Sequence, residues 1–352
     1  MSAAANGLWR DEPRWLRIVA DPRLFAIACA WLFVLTVLGT VVQRDIGLFL
    51  AVERYFTSWF MWLGPVPLPG GRLTLSVTGL NLLAVLFTRR SSHSPGLFIL
   101  HGGTLLLLGG CMVGSAVRAE GSLALAEGET GDEMRSWNQY ELAIRISGTD
   151  HDQLVTIGDG RLRPGVSISH PALPVALTVV DHLVNSQPRE GGGIEPLLPE
   201  KEAELNAPGV VLRLPDGRQV SLSTNGGSAT IAPGALATLR RRETLMPFAV
   251  ELIKFTREDH PGTGMARRFS SEVMVHEAGS SRRVVISMNR PLRIGAWTLY
   301  QQSYSQTADG TVVSVLAVVR DRWQLSPYIS SAIMLLGLLL HLVLRIRRVG
   351  LA

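Results

Sequence analysis

Apolar residues are distributed unevenly along the chain. Four runs are almost continuously apolar, and about two hundred residues between the third and the fourth run alternate between apolar and polar positions. The third run has 22 residues and would extend about 33 Å as a helix, enough to cross a hydrocarbon core of about 30 Å. The pattern therefore predicts four transmembrane helices, at Leu24–Val42, Leu73–Thr88, Gly96–Val117 and Tyr328–Leu344.

The region after the third helix has the pattern of a sheet. Short β-branched or period-two stretches are bounded by turn residues, and no helical pattern of comparable length separates them. Residues 215–217 and 308–310 are typical hairpin turns, while 186–208, rich in Pro, Gly and Glu, predict a long loop or a disordered insertion. The predicted strands lie at Tyr140–Ser147, Val175–Val180, Val210–Leu214, Phe248–Phe255, Glu272–Val275, Val284–Met288 and Val312–Val319.

These elements predict an α+β membrane protein. Four transmembrane helices carry a large outward-facing domain, an antiparallel β-sandwich or barrel-like structure between the third and fourth helices. The predicted parts are a cytoplasmic segment (1–23), three transmembrane helices (24–117), a periplasmic β-rich domain (118–325), and the fourth helix with a basic cytoplasmic tail (326–352). The first run begins near Leu24 without a small-residue cleavage site, which indicates a retained anchor.

Aromatic residues crowd into an interfacial segment at 47–63, between the first two helices. The pattern predicts an amphipathic helix lying at the outer membrane surface. Such a segment is either an aromatic belt or a surface for a porphyrin or a partner subunit. The aromatic side chains are Phe49, Tyr55, Phe56, Trp59, Phe60 and Trp62.

The net charge of +5 has a topological explanation. Residues 1–23, 88–95 and 345–352 carry nine arginines against three acidic residues, whereas 118–325 has a balance of −2. Cytoplasmic flanks of membrane helices are enriched in Arg and Lys. The charge therefore places both termini of this multi-pass protein in the cytoplasm, with the β-rich domain outside in a periplasm or its equivalent, and it does not indicate a nucleic-acid partner.

Most catalytic constellations are missing from the sequence. It contains no nucleophile elbow, no H-E-x-x-H motif and no glycine-rich phosphate loop after a strand. The two cysteines, Cys29 and Cys111, each lie inside an apolar run, which excludes a disulfide framework and a structural zinc site. We therefore expect no catalytic residue and no enzyme activity of the chain by itself.

Two membrane histidines are the strongest candidates for chemistry. His101 in the third helix and His341 in the fourth are predicted at similar depth in the inner leaflet, and imidazole is a good axial ligand for haem iron. Helix-to-helix hydrogen bonding explains the same residues. Glycine pairs at 102–103 and 109–110 leave one face bare, for another helix or for a flat cofactor. Arg89, Arg90 and Arg345 are placed to contact haem propionates if such a pocket opens inward.

Several segments resemble the ResB (CcsB) family of cytochrome c biogenesis proteins. They are GTVVQ, YFTSWFMWL, NLLAVLFTRR, LFILHGGTLLLLGG and, most specifically, NRPLRIGAWTLYQQSYSQ at 289–306, and they occur in the family's order over essentially the whole chain. The resemblance implies the System II pathway, in which such a protein works with a CcsA/ResC-type membrane protein. The pair moves haem outward and joins it to an apocytochrome c with a C-x-x-C-H motif.

The resemblance also implies roles for particular residues. The family's histidine in the third membrane helix falls on His101, which would ligate the iron of a transient haem b shared with the partner. This chain has no tryptophan-rich W-W-D segment, so it would act as one part of a haem transport and cytochrome c haem lyase (synthase) complex. The partner protein or His341 would supply the second ligand. Tyr300, Gln301, Gln302 and Tyr304 are expected to contact the apocytochrome.

Two other functions remain compatible with the sequence. A b-type electron-transfer subunit would use His101 and His341 as permanent ligands. A haem-free scaffold would use the β-rich domain to bind other envelope proteins. The resemblance also implies a bacterial inner (cytoplasmic) membrane, whose lipid is a further partner, and the sequence indicates no nucleic-acid partner.

Overall fold

A computed structural model describes residues 13–88, 94–148, 151–190, 192–262, 266–307 and 309–349. Among them, the residues up to Arg118 form one compact unit together with those from Asp321 onwards, and Ala119–Arg320 form a second unit. The helices of the first unit are α1 (Arg14–Val19), α2 (Pro22–Ile46), α3 (Leu48–Ala51), α4 (Gly71–Thr88), α5 (Pro95–Val117) and α6 (Ser326–Val349).

Within the described residues, four helices are long and apolar enough to cross a membrane: α2, α4, α5 and α6. Each contains one of the predicted runs. The starts of α2 and α5 follow from local sequence, because Asp21 and Ser94 accept backbone N–H groups as N-caps and a proline follows each of them. The prediction of four long apolar helices with a large antiparallel β domain is thus confirmed.

Asn81 joins α4 to the junction between α1 and α2. Its side chain is buried, and its Nδ2 donates to the carbonyl oxygens of Val19 at 2.6 Å and Asp21 at 2.9 Å. The carbonyl of Val19 lies at the end of α1, where the chain breaks before Pro22, and the amide supplies it with a donor. The carbonyl of Asp21 accepts from the N–H of Leu24 as well. The polar residue in this short helix therefore serves packing inside the chain.

The aromatic segment differs from its prediction. A helical turn at α3 and a π-helical turn at Val52–Phe56 are followed by a hairpin of β1 (Phe60–Leu63) and β2 (Val66–Pro69). Prolines at 65, 67 and 69 cannot supply helical N–H donors, and Gly64 turns the chain with φ 60°. The alternation places Met61 in a small core, while Trp62 is 57% exposed. A single amphipathic helix over 47–63 is therefore wrong.

The second unit is almost entirely antiparallel. A ten-stranded sheet runs in the order β15-β14-β13-β4-β3-β18-β17-β16, with β5 paired to β4 and β12 to β13, and a four-stranded sheet runs β11-β10-β7-β6. The strands are β3 (Ala119–Ala126), β4 (Thr130–Ile146), β5 (Gln153–Gly158), β6 (Ser167–Ile168), β7 (Leu177–Leu183), β8 (Ser186–Pro188), β9 (Ile194–Pro196), β10 (Gly209–Arg213), β11 (Gln219–Ser223), β12 (Ala229–Ala232), β13 (Ala235–Asp259), β14 (Ala266–Glu277), β15 (Ser280–Ser287), β16 (Leu292–Ile294), β17 (Trp297–Gln306) and β18 (Val312–Arg320).

Two hydrophobic cores divide this unit into lobes that share the long strands β4 and β13. In the first lobe, Leu142 of β4 and Leu239 of β13 pack against the four-stranded sheet. In the second lobe, Met134 of β4 and Leu252 of β13 pack with residues of β14 to β18. The ladder between β4 and β13 shifts register after Arg241, and the two strands continue into the second lobe.

Each of the seven predicted strand segments overlaps a strand of this unit and extends beyond it by at most two residues, and the turn at 215–217 joins β10 to β11. Residue 308 of the other predicted turn lies outside the described residues. The stretch at 186–208 is more regular than expected. It holds the β8–β9 hairpin and a 3₁₀ turn at Ala203–Leu205, and the buried side chains of Asn185 and Asn206 hydrogen-bond its backbone. Buried amides thus organise a segment whose composition alone favours a loop.

Candidate functional site

The helices α5 and α6 pack antiparallel with their backbones in close contact. Gly103 faces α6, where an added Cβ would lie 2.8 Å from Cγ of Met334. Gly96 and Gly110, seven residues before and after Gly103, are also buried against α6, which leaves no room for a Cβ on either of them. A spacing of seven returns to nearly the same side of a helix, so these glycines form one face. The sequence left open whether the glycine pairs serve another helix or a flat cofactor. Gly103 and Gly110 serve helix packing, because both lie against α6.

His341 lies within this packed interface. The backbone nitrogen of His341 lies where a Cβ on Gly96 would be, so the two backbones are in direct contact. Nδ1 of His341 lies 2.7 Å from Oγ of Ser94. The side chains of Ser94, His341, Leu344 and Arg345 line a cavity of about 370 Å³. The structure thus brings two of the predicted site residues, His341 and Arg345, to one place. Arg89 and Arg90 lie outside the described residues.

His101 projects from a different side of α5. Residues on a helix advance by about 100° each, so His101 points about 160° away from Gly103, which faces α6. One turn later, Leu105 contacts α4, where a Cβ on Gly79 would lie 3.9 Å from its Cδ1. The half-buried His101 therefore belongs to the side of α5 that faces α4.

The two histidines also differ in depth. His341 lies opposite Gly96, whereas Leu100, next to His101, lies opposite Gly337. The offset of about five residues corresponds to roughly 7 Å along a helix. The expectation of similar depth counted each histidine from its nearest charged or proline residue, and it had no register between the two helices. The register therefore separates the two histidines by about one and a half helical turns, and His341 as a second haem ligand stays a prediction.

A strip free of side chains runs beside His101. At Gly102 and Gly109 an added Cβ would meet nothing within 4 Å, in contrast to the glycine that follows each of them. This strip lies between the face toward α6 and the face toward α4. An imidazole beside an open, flat strip of helix backbone fits one axial side of a porphyrin, and the open side leaves room for a ligand from another chain.

In the second unit, Tyr304 belongs to an aromatic cluster at the end of the second lobe. Its ring centroid lies 5.4 Å from that of Phe255 and 5.7 Å from that of Phe269. Arg257 lies over the tyrosine ring at 5.3 Å and donates to its hydroxyl oxygen. The ring remains partly accessible, and Tyr300 and Gln302 on the same strand are exposed. These three side chains are accessible to a partner.

Gln301 differs from its expected role because it points into the core, with 6% exposure. Its Oε1 accepts from Ser271 Oγ at 2.6 Å, and its Nε2 donates to Ser314 Oγ at 3.1 Å. The ladder between β17 and β18 shifts register between Gln301 and Ser303, which leaves Gln302 opposite no single partner. This bulge directs neighbouring side chains differently from a regular strand, and the sequence pattern alone does not show it.

A second cavity of about 330 Å³ lies in the second unit beside an ion-pair chain. Arg240 lies 3.0 Å from the buried Glu141 and also pairs with Glu243, which lies 3.2 Å from Arg135. At its edge, burial raises the pKa of Tyr140, whose hydroxyl donates to the carbonyl of Asn206. Each charge in this ion-pair chain has an opposite charge, and Arg241, which also lines the cavity, donates to the backbone carbonyls of Trp137 and Glu204.

Sequence reasoning did not identify Ser94 as a site residue. Its position before Pro95 at the start of an apolar run is a signal for an N-cap, but its second contact, with His341, comes from a residue 247 positions away. Only the register between α5 and α6 brings the two side chains together.

Comparison with known proteins supports the resemblance. The ResB-like family model matches residues 212–314, from β10 to β18 in the second unit. Protein NrfI of Wolinella succinogenes is 23% identical over 330 residues, which cover 90% of this chain and 34% of that protein. The chain thus spans about a third of the length of this relative. The match confirms the resemblance to the ResB family that the sequence motifs indicated.

Proposed function

We propose that this chain is a membrane component of cytochrome c maturation. It works with a CcsA-type membrane protein to move haem across the membrane and to present haem or apocytochrome for covalent attachment. In this proposal both termini are cytoplasmic, and the β-rich unit, between the third and fourth long helices, lies in the periplasm. The observation that carries the proposal is the match of the ResB-like family model to residues 212–314.

Haem is the cargo in this proposal, and His101 is one of its axial ligands. The imidazole supplies a nitrogen donor from the interior of a membrane helix, where a polar side chain needs a specific reason to be placed. The strip at Gly102 and Gly109 gives a flat macrocycle access to the helix backbone. The chain's own contribution is therefore to hold one side of the iron and one edge of the macrocycle.

The second axial ligand comes from the partner protein. His341 projects toward the α5–α6 interface and contacts Ser94, whereas His101 lies on the side of α5 that faces α4. Two histidines that ligate one iron from α5 and α6 would have to point toward each other, and His101 points away from α6. This geometry favours a shared, transient haem b over the alternative of a b-type electron-transfer subunit.

The periplasmic contact with the apocytochrome is assigned to the accessible side chains of β17, which the bulge distributes over both faces of the strand. Tyr300, Gln302 and Tyr304 offer aromatic area and an amide beside the cation of Arg257. Aromatic and arginine side chains carry much of the energy in protein interfaces. Gln301 acts from the core by holding this strand in place.

Deletion of the gene, followed by haem staining of whole-cell c-type cytochromes, tests the role. We expect the stain to disappear in the deletion strain and to return with the wild-type gene. It should also return with His151→Ala, an exposed histidine of the second unit, and fail to return with His101→Ala. Complete retention of c-type cytochromes in the deletion strain would overturn the proposal and favour the haem-free scaffold.

A further inference from the structure

We propose that the cavity lined by Ser94, His341, Leu344 and Arg345 binds the oxyanion group, phosphate or carboxylate, of an amphiphile whose apolar part lies along the membrane helices. This site is separate from the one at His101, since the two lie on different sides of α5. A phospholipid as the ligand does not depend on the role in cytochrome c maturation, whereas a haem propionate as the ligand rests on the proposed function.

The contact between Ser94 and His341 orients the imidazole as a donor. Ser94 Oγ accepts the backbone N–H of Leu97 at 3.4 Å, and in this proposal its own proton donates to Nδ1 of His341, 2.7 Å away. In the neutral imidazole the proton then lies on Nε2. That N–H is the remaining polar group of the ring, and an oxyanion is the acceptor that suits it.

The charge of the lining also selects an anion. Arg345 supplies a guanidinium group, whose planar fork of N–H donors matches the oxygens of a phosphate or a carboxylate. No Asp or Glu occurs among the lining residues in the described part of the chain, and α6 contains none along its length. A cation such as a second iron would meet only an unfavourable charge here, so His341 fits anion binding better than metal binding.

The surroundings indicate an amphiphile. The cavity of about 370 Å³ exceeds the size of a single inorganic ion and is lined on one side by Leu344. On the outer surface of the same turns, Leu342, Val343 and Ile346 are exposed. A ligand with a charged head and an apolar body would satisfy both the arginine and this surface. A phospholipid headgroup and a haem propionate share that chemistry.

Native mass spectrometry of the full-length protein in detergent tests the phospholipid source. The probes are phosphatidylglycerol and diacylglycerol, which differ by the phosphate-linked headgroup. We expect preferential binding of phosphatidylglycerol, and Arg345→Gln should weaken it about tenfold, because a charge-assisted hydrogen bond is lost. Arg347→Gln is the matched control, since it removes the same charge two residues away and outside the lining. Arg345→Lys should retain part of the affinity.

Titration with haem and with haem dimethyl ester, followed by absorbance, tests the carboxylate source. If propionates occupy the cavity, Arg345→Gln weakens haem binding about tenfold and leaves the ester unchanged. A loss of binding in Arg345→Gln that Arg347→Gln does not show, in the mass spectrometry or in the haem titration, supports the site and identifies the source of the ligand. Equal effects of the two substitutions in both experiments would overturn the proposal. Ser94→Ala keeps the charge of Arg345, so it should weaken binding of the same ligand less than Arg345→Gln does. Circular dichroism checks that each variant is folded.

Discussion

A Cβ on Gly337 would lie 2.5 Å from the backbone nitrogen of Leu100, so α5 and α6 touch through their backbones at this point. The close contact fixes the register of the two helices. That register places His341 against Ser94 and turns His101 to the other side of α5. The separation of the two histidines therefore depends on small residues at the α5–α6 interface.

Gly337→Ala should disrupt this interface. The new methyl group meets backbone atoms that cannot rotate away, and overpacking costs about 1–3 kcal/mol of stability. Gly102→Ala is the matched control, because its Cβ would meet nothing within 4 Å. Thermal unfolding in detergent should show a lower midpoint for Gly337→Ala and an unchanged or higher midpoint for Gly102→Ala. Equal midpoints would contradict the backbone contact.

Gln301→Leu should destabilise the second lobe by about 2–3 kcal/mol, because it leaves the buried hydroxyls of Ser271 and Ser314 without the amide. Gln302→Leu, at the exposed neighbouring position of the same strand, is the control. It should change the free energy of unfolding by less than about 0.5 kcal/mol. Denaturant unfolding of the full chain measures both. A surface role for Gln301 would instead give two similar, small effects.

His182 should make stability depend on pH. Burial lowers the pKa of this imidazole, and the opposing effects of Asp159 and Asp181 are smaller. The unfolded chain therefore binds the proton at a higher pH than the folded chain does. The contribution of neutral His182 to the free energy of unfolding is fully present above the ordinary histidine pKa of about 6.5. It is lost as the pH falls through that value. Thermal midpoints between pH 5 and 8 should show this slope, and His182→Gln should reduce it. His170→Gln, at an exposed position, should leave the slope unchanged.

Tyr304→Ala should weaken binding of an apocytochrome peptide that contains C-x-x-C-H. The aromatic cluster with Phe255 and Phe269 would lose one partly accessible ring, and truncation of such an anchor costs about tenfold or more in affinity. Tyr304→Phe keeps the ring and removes the hydroxyl that accepts from Arg257, so it should bind nearly as well as the wild type. Fluorescence anisotropy with a labelled peptide gives the affinities. Unchanged affinity in Tyr304→Ala would place the apocytochrome elsewhere.

Much of the fold was predictable because hydrophobic periodicity reflects local environment. The continuous apolar runs marked the long helices, and alternation marked strands such as β10 and β18. The crowded aromatic residues of 47–63 favour an interfacial helix, whereas Gly64 and the alternating prolines after it favour the hairpin that the structure shows. Those prolines exclude helical hydrogen bonds, so they were the more decisive signal.

The candidate site was predictable only in part. A polar side chain in an apolar run marks His101 and His341, but relative rotation and register of two helices depend on which glycines face each other. Gly103 and Gly102 look equivalent in the sequence, yet only the first is closed by α6. In the same way, the bulge after Gln301 brings Tyr304 onto the face that Leu299 and Gln301 share, a shift that strand alternation does not predict. Long-range packing decides both cases, and local pattern does not encode it.

The most direct measurement is the visible spectrum of the chain purified together with its CcsA-type partner. In the wild-type complex we predict low-spin haem with His101 as one axial ligand, and His101→Ala should lose it or shift it to a high-spin spectrum. His341→Ala should keep the low-spin spectrum, because His341 lies on the other side of α5. Undiminished low-spin haem in His101→Ala would contradict the account.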